Sequence, residues 1–406
     1  MSVVSIVKGK VTESQEKYTQ KDILIVRDML IKSFDNIGGI DKLISHGDKI
    51  IIKPNLVEVP HPSTKGSVLT DPRILEALCG LLKDYGVKQI LVGEGKSVNL
   101  RHIASGARKA FENSGLANAV RRGGGTIIAW DEEPFVPVKH PDLMLWDEVN
   151  VPKSILEADC FINVPKLKTH GQTGITCGIK SMQGVYCTDD KIKFHDESFP
   201  WKMVDMLRVA MPDINIVDGL ICGEGFGPIY TEAVPMGLIV SSTDVVATDA
   251  VCGKIIGIDP IEIPITRLAC QEGMGNDNLD EIQIVGEQIC DVMKHFKRAG
   301  IWNPIGLEGK VKVFAGGACR FEFAQVAATI KRMQIDGTIN NLKEDIAVFI
   351  GDNPPVPKKK FKNVFIIGDP AIRDCKLEGV KIAGNPPLPS VQIVQAFMKV
   401  INEGDN

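Results

Sequence analysis

The segment Asp159-Cys160-Phe161-Ile162-Asn163-Val164-Pro165-Lys166-Leu167-Lys168-Thr169-His170 is the part of the chain that decides its fold. Its first half is a short apolar run, typical of a strand buried on both faces, and Pro165 interrupts that run. Side chains two residues apart point the same way in an extended chain, so Lys166, Lys168 and His170 are expected to share one face. Two ammonium groups and an imidazole on one face repel each other unless an anion lies opposite. The segment therefore predicts a site for an anionic ligand.

Strand-like and helix-like segments alternate on both sides of this segment. Apolar runs predict strands at residues 3–7, 49–53, 89–92, 126–130, 214–219 and 237–240, and helical patterns predict helices near 23–33, 72–86, 103–113 and 244–256. This alternation predicts an α/β fold with a mostly parallel, doubly wound sheet. From residue 309 onward, four further apolar runs each end in glycine. We therefore expect a main α/β domain at 1–308 and a second, smaller C-terminal α/β domain at 309–406.

Composition and charge limit the classes of function. The chain of 406 residues is 44% hydrophobic and 24% charged, which is ordinary for a globular protein. Its formal charge of -4 argues against a general nucleic-acid binder. Apolar runs fall short of the ~20 residues that span a bilayer, and the first residues lack the pattern of a secretory signal. We expect a cytoplasmic protein without nucleic-acid or membrane partners, and a homo-oligomer stays open.

Ten cysteines are scattered along the chain, and no two form a Cys-x-x-Cys pair. Local spacing therefore does not support a zinc ribbon or a ferredoxin-type cluster, and most of these cysteines are expected to be small buried hydrophobes. Such a cysteine content would also suit anaerobic metabolism. The remaining candidate metal ligands are Cys319, Cys375, Asp244 and Asp249. Asp244 fits a helix cap better, and the two cysteines fit structural roles better.

Charged or amide side chains lie at the carboxyl ends of four predicted strands, where open parallel sheets bind their ligands. These side chains belong to Lys53, Asn55, Glu94, Lys166, Lys168, His170 and Asp218. Charged residues also gather at strand ends because solvent begins there. The coincidence of four strands nevertheless favours a functional site.

Chemistry suggests a role for each residue of this group. We expect an anionic substrate to be bound by Lys53, Asn55, Lys168, Thr173, Thr176 and Lys180, with a helix that begins at Gly174 or Thr176 adding backbone amides. We expect protons to be moved by His170, Lys166, Glu94 and Asp218. An imidazole with a pKa of ~6.5 suits this task near neutral pH, and a lysine crowded by other lysines loses its proton more easily. A surface histidine without a catalytic role is the alternative for His170.

Several motifs together resemble the domain of unknown function 362 family. They are Ile52-Lys53-Pro54-Asn55, Thr70-Asp71-Pro72, Gly93-Glu94-Gly95, Ile162 to His170, the turn from Lys180 to Gly184, Asp218-Gly219, and Asp244 to Ala250. The resemblance covers about residues 48–257. Family members are often iron–sulfur proteins of bacteria and archaea, so the resemblance implies an iron–sulfur cluster and a protein redox partner. The ferredoxin-type cysteine quartet of many members is absent from this sequence.

Two functions of different classes follow. The leading hypothesis is an enzyme that acts on a small carboxylate or phosphorylated metabolite by proton transfer, as an isomerase, racemase or lyase does. A complete dinucleotide fingerprint is missing, which disfavours hydride transfer. The alternative is an accessory redox or cluster-associated protein that acts on a protein partner. A binding protein without turnover is a third option.

Overall fold

The computed structural model describes residues 1–11, 18–57, 62–97, 106–299, 310–318, 320–384 and 390–403. It contains two compact units. The larger comprises Met1–Lys193 and Phe199–Lys297, and the smaller comprises Phe194–Ser198 and Arg298–Asn406. The domain boundary predicted between residues 308 and 309 lies outside the described residues and stays a prediction.

The larger unit contains twelve strands and eleven α-helices among its described residues. The strands are β1 Val3–Lys8, β2 Lys49–Pro54, β3 Gln89–Glu94, β4 Thr126–Ala129, β5 Phe135–Val138, β6 Val149–Pro152, β7 Cys160–Val164, β8 Lys166–His170, β9 Gly174–Thr176, β10 Ile214–Phe226, β11 Tyr230–Ser242 and β12 Gln283–Gly286. The helices are α1 Gln20–Asn36, α2 Ile40–Leu43, α3 Pro72–Tyr85, α4 Ala107–Asn113, α5 Leu116–Gly123, α6 Lys153–Leu156, α7 Gly178–Ser181, α8 Phe199–Val209, α9 Val245–Ile255, α10 Pro264–Gln271 and α11 Ile289–Val292.

The main sheet is mostly parallel. Its strand order is β12-β1-β11-β10-β7-β2-β3-β4, with β8 paired to β10 and β9 paired to β8. The central neighbours β10, β7, β2, β3 and β4 run parallel, while β11 is antiparallel to both β1 and β10. The predicted α/β class with a mostly parallel sheet is confirmed. In the part of the chain that the structure describes, no helix has the length and apolarity needed to cross a membrane.

Helix α3 shows how local sequence builds an element beside the strand ends. The Asp71 side chain caps its first turn by accepting a hydrogen bond from the Arg73 amide, and Pro72 occupies the first turn. Gly86 ends the helix in a left-handed conformation with φ of 95°. The buried side chains of α3 share one hydrophobic cluster with β2 and β3. The helix therefore covers one face of the sheet and leads the chain back to β3.

Two sequence expectations near the strand ends are wrong. The strand predicted at 214–219 continues to Phe226, because it pairs with β11 along its length and tolerates an irregularity between Gly219 and Ile221. The helix expected to begin at Gly174 or Thr176 is instead β9, which pairs with β8, and the helix begins at Gly178. Gly174 has φ of +81°, which suits the turn of this hairpin. Both differences arise from strand pairing, which a local pattern does not reveal.

The smaller unit contains a second sheet. Its strands are β13 Val311–Ala315, β14 Ile346–Ile350, β15 Asn363–Ile367 and β16 Val380–Ile382, and its helices are α12 Arg320–Ile335, α13 Asp369–Asp374 and α14 Ser390–Glu403. The four strands are parallel and lie in sequence order. The predicted small C-terminal α/β fold is confirmed.

Candidate functional site

Lys53 and Glu94 form a buried ion pair at the carboxyl ends of β2 and β3. The Lys53 ammonium lies 2.7 Å from Glu94 Oε2, and their side chains are 1% and 4% exposed. The same ammonium donates to the Ser181 hydroxyl at 3.1 Å. Glu94 Oε1 accepts a hydrogen bond of 2.8 Å from the Gly95 amide. Two of the four strand ends grouped from the sequence are thus in direct contact.

Lys166 and Asp218 form a second ion pair, at the start of β8 and within β10. Lys166 Nζ lies 2.6 Å from Asp218 Oδ2, and neither side chain is exposed. The same oxygen accepts a hydrogen bond of 2.7 Å from the amide of Asp71, whose carboxylate pairs with Arg73. Burial raises the pKa of Asp218, the Asp71 charge acts in the same direction, and Lys166 opposes both. A pair buried this deeply depends on both partners, because either charge alone would lack compensation.

Lys168 is fully buried and is held by backbone oxygen atoms. Its ammonium donates to the carbonyls of Val68 at 2.7 Å and Pro228 at 2.8 Å, and it has no carboxylate partner among the described residues. Burial lowers the pKa of Lys168 well below its usual value, and the charges of Lys180 and Lys166 add to this effect. Thr176 lies opposite Lys168 in the β8–β9 hairpin, and its buried hydroxyl has no hydrogen-bond partner. The face of the hairpin that carries Lys168 thus holds a cation and an unsatisfied hydroxyl.

Lys180 differs from the lysines described above. Its side chain is part-exposed and makes no hydrogen bond or ion pair with any residue that the structure describes. Burial lowers the pKa of Lys180 to about 8, and the charge of Lys53 acts in the same direction while Glu94 opposes it. Lys191 donates from its ammonium to the Lys96 carbonyl at 2.9 Å, and burial also lowers its pKa to about 8.

These lysines form one electrostatic unit, which we call the lysine cluster: Lys53, Lys166, Lys168, Lys180 and Lys191. Its members influence each other's protonation, since Lys166 and Lys180 lower the pKa of Lys168, and Lys53 and Lys191 lower the pKa of Lys180. The cluster is positioned by β2, β8, α7 and the segment before α8. It can bind an anion, and Lys180 and Lys191, each with a pKa of about 8, can exchange protons near neutral pH.

Two glycines allow the chain to pack tightly against the cluster. A Cβ atom on Gly184 would overlap the Glu94 carboxylate and lie 2.7 Å from Lys53 Cε. A Cβ atom on Gly95 would lie 2.6 Å from Lys191 Nζ. The turn after α7 and the end of β3 therefore approach the lysines as closely as they do because they lack side chains.

His170 lies at the end of β8 and is 2% exposed. Its Nδ1 accepts a hydrogen bond of 3.1 Å from the Gln172 amide. In a neutral imidazole this bond places the proton on Nε2, so that Nε2–H acts as a donor. The arrangement suits a proton donor or an anion contact. A general-base role for His170 stays a prediction and would require the bond to Gln172 to break.

Two other predicted binding residues use their polar atoms within the protein. Asn55 Nδ2 donates to the Val68 carbonyl at 2.8 Å, and Thr173 Oγ1 donates to the Ile175 carbonyl at 2.8 Å. Asn55 fixes the loop that also supplies an acceptor to Lys168. Binding of a ligand by Asn55 or Thr173 stays a prediction.

The candidate metal ligands lie in separate environments. Asp244 caps α9 by accepting hydrogen bonds from two backbone amides, as its sequence context suggested. Asp249 accepts hydrogen bonds from the amides of Gly178 at 2.6 Å and Ile179 at 3.2 Å, and burial raises its pKa to about 7. Cys375 belongs to an apolar cluster of the smaller unit.

Cys319 lies outside the described residues. Over the described ranges, no group of three or more His, Cys, Asp or Glu side chains is arranged to hold a metal ion. The donors present in those ranges do not fit an iron–sulfur cluster.

Sequence reasoning missed Lys191 and the Asp71–Arg73 pair as contributors to the site, and it assigned Asp249 a different role. Lys191 sits in a polar segment that predicts only a loop, and its burial depends on the contact with the β3 end. The Asp71–Arg73 pair appears in the sequence as a helix start, yet it also neighbours Asp218. Asp249 anchors α7 through backbone amides, which no side-chain pattern indicates.

The model of the domain of unknown function family DUF362 matches residues 50–254. A thylakoid-associated protein of Synechocystis is 29% identical over 247 residues, which cover 59% of this chain and 72% of the relative.

Two solved structures are also similar. The lactate racemase apoprotein of Thermoanaerobacterium thermosaccharolyticum has a TM-score of 0.37 and 14% identity, over 64% of this chain and 58% of that protein. A Thermotoga maritima protein has a TM-score of 0.35 and 13% identity, over 65% of this chain and 61% of that protein. The chain thus spans less than two thirds of either structure. The family match covers half of the chain, including the segments that form β2, β3, β8, α7 and most of α9, and this chain belongs to the domain of unknown function 362 family.

Proposed function

We propose that this chain is an enzyme that acts on a small carboxylate or phosphorylated metabolite by proton transfer at the lysine cluster. One observation carries the proposal. Burial destabilises the charged forms of Lys168 and Lys180 and so lowers the pKa of both. Neither lysine has a carboxylate partner among the described residues that would offset this cost. An anionic group bound between them would offset their charges, which is a strong reason for such a ligand to bind.

The surroundings of these two lysines support a polar ligand. The Thr176 hydroxyl is buried without a hydrogen-bond partner, and a bound oxygen atom would satisfy it. Lys180 is part-exposed, so a ligand can approach its ammonium from solvent. Within the cluster, Lys53 and Lys166 are held by their ion pairs with Glu94 and Asp218.

Proton transfer is the chemistry that this set of groups suits. Lys180 has a pKa of about 8, which lets its amine accept a proton near neutral pH. In neutral His170 the proton lies on Nε2, because Nδ1 accepts a hydrogen bond from the Gln172 amide. Removal of a proton next to a carboxylate, followed by reprotonation or elimination, describes an isomerase, racemase or lyase.

Solvent exchange of carbon-bound hydrogen tests the proposal. The protein is incubated in D2O with a panel of hydroxy acids, 2-oxo acids, dicarboxylates, phosphorylated carboxylates and triose phosphates, and enzyme-dependent loss of the C–H signal is followed by NMR. We expect exchange with at least one compound, slowed by about 10²-fold or more in Lys180→Met. The matched control is Lys109→Met, which removes an exposed lysine of α4 and should leave the rate unchanged.

Absence of exchange and of any thermal shift with the whole panel would contradict the proposal. Iron and sulfide in near-equal amounts in protein purified without oxygen would favour the accessory redox function instead.

A further inference from the structure

The clearest contrast within the lysine cluster is between Lys180 and its neighbours. Lys53, Lys166 and Lys168 each have a carboxylate or carbonyl partner, at distances between 2.6 and 3.1 Å, and are fully or almost fully buried. Lys180 has no such partner among the described residues and is part-exposed. An amine without a hydrogen-bonded partner keeps its lone pair free once it loses a proton.

Hydrogen bonds fix the backbone of the short helix α7, which carries Lys180. Asp249 accepts hydrogen bonds from the amides of Gly178 and Ile179 at the start of α7. The next residue after Lys180 is Ser181, whose amide donates to the Cys177 carbonyl at 3.0 Å and whose hydroxyl accepts from Lys53. Hydrogen bonds of the neighbouring residues thus fix the backbone at Lys180, while its ammonium makes no hydrogen bond or ion pair with a described residue.

The environment of Lys180 favours its neutral form, because burial and two nearby cations outweigh the opposing effect of the Glu94 carboxylate. Lys53 and Lys191 are cations close enough to lower its pKa, which burial already reduces to about 8. With that value, about a tenth of the molecules carry a neutral amine at pH 7. A desolvated lysine beside other cations is the form of lysine that attacks carbonyl carbon.

We propose that Lys180 forms an imine with an aldehyde or ketone substrate whose carboxylate or phosphate is bound by the rest of the lysine cluster. This inference rests on the proposed function and narrows its substrate to a carbonyl compound. The Lys180 amine adds to the carbonyl carbon and forms a C–N bond. The two amine protons pass to the carbonyl oxygen, the C–O bond breaks and the oxygen leaves as water, so no oxidant or reductant is needed.

The imine makes the proposed proton transfer easier. When protonated, it draws electrons from the adjacent carbon and acidifies the C–H bond there. The buried Glu94 carboxylate is close enough to Lys180 to influence its charge. It would stabilise the iminium cation and accept the C–H proton in place of Lys180, whose nitrogen is then bound to the substrate. Hydrolysis afterwards returns the free amine and the product.

Reductive trapping tests this inference. The wild-type protein is incubated with sodium cyanoborohydride and, in turn, pyruvate, 2-oxobutanoate, glyceraldehyde 3-phosphate and dihydroxyacetone phosphate. Intact mass and peptide mapping then locate any adduct. We expect one adduct per chain, on the peptide that contains Lys180, with at least one of these probes.

Variants separate Lys180 from ordinary lysines. The adduct should disappear in Lys180→Met and in Lys180→Arg, and it should persist in Lys109→Met. Trapping should also increase between pH 7 and pH 8.5, as more of the amine becomes neutral. Since the adduct is mapped on the wild-type protein, the test does not depend on how well the variants fold.

Each outcome decides the inference. No adduct with any probe, or labelling spread evenly over exposed lysines and retained in Lys180→Met, would overturn it. Hydrogen exchange without an adduct would leave the proposed function standing and remove the imine. An adduct without hydrogen exchange would support the imine and contradict the proton transfer.

Discussion

The two parallel sheets of this protein differ in what lies at the carboxyl ends of their strands. In the main sheet, β2 and β3 carry Lys53 and Glu94 as a pair that is almost fully buried. In the small sheet, β14 and β15 are followed by Gly351 and Gly368, and the nearby Arg373–Asp352 pair is 65% and 52% exposed. Neighbouring parallel strands thus carry a buried ion pair at their carboxyl ends in one unit and lie near an exposed ion pair in the other.

The comparison of the two ion pairs indicates that a charged residue's position at a strand end is a weak indicator of function, and that burial of the charge is a stronger one. Charged residues at a sheet edge in solvent have little energetic cost. Charges kept in a protein interior lose hydration and must be compensated by partners or by a ligand. At the carboxyl ends of the main-sheet strands, Lys53 and Glu94 meet that second condition, whereas the Arg373–Asp352 pair of the smaller unit does not.

The largest expected effect comes from breaking a buried ion pair of the main sheet. Lys166→Met leaves Asp218 buried without its cation, and we expect the free energy of unfolding to fall by about 3–5 kcal/mol. Arg373→Ala, in helix α13 of the smaller unit, removes an exposed pair and should cost about 0.2–1 kcal/mol. Denaturant unfolding of both variants provides the comparison. Equal losses would show that burial does not separate the two sheets.

A smaller effect is expected from filling the space beside the cluster. In Gly184→Ala the new Cβ atom would press on Glu94 and Lys53, and we expect a loss of about 1–3 kcal/mol in the free energy of unfolding. Gly317→Ala is the matched change in the small sheet, where the nearest atom would lie 3.4 Å away, an ordinary contact. Unfolding midpoints of the two variants test this, and a neutral Gly184→Ala would indicate that the cluster is loosely packed.

The smallest effect is a change in pH dependence. The pKa of Lys180 is about 8 in the folded protein, below its ordinary value of 10.5, so the unfolded chain binds more protons between these two pH values. The contribution of Lys180 to stability therefore rises as the pH increases from about 8 to about 10.5. Relative to Lys180→Met, wild type should gain on the order of 1 kcal/mol over this window, allowing for partial solvent screening.

Exposed Lys381 in the small sheet supplies the control for that measurement. The stability difference between wild type and Lys381→Met should stay constant over the same pH window. If the difference between wild type and Lys180→Met is also constant from pH 8 to pH 10.5, the lysine cluster does not hold Lys180 in a low-pKa environment.

Most of the fold was predictable because its signals are local. The β-branched run of β2 and the capped, proline-initiated start of α3 each predict their element without knowledge of the rest. The extent of β10 was not predictable. Its glycines look like a loop, and only pairing with β11 makes this stretch a strand.

The candidate site was predictable only as a group of residue types. Lys53 with Glu94, and Lys166 with Asp218, were grouped from the sequence as charges at strand ends. Which lysine pairs with which acid was not predictable, since the pairing depends on the order β10-β7-β2-β3 in the sheet. Lys191 was missed because its burial comes from a segment remote in sequence.

The α/β class, the family and the chain segments that carry the lysines can be read from the amino-acid sequence, because apolar periodicity and short motifs are properties of neighbouring residues. Which lysine ammonium groups have a carboxylate partner depends on the tertiary structure. Lys166 forms an ion pair with Asp218, while the Lys180 ammonium has no hydrogen-bond or ion-pair partner among the described residues. Pairing and desolvation depend on distances between remote segments, and these distances exist only once the sheet has formed.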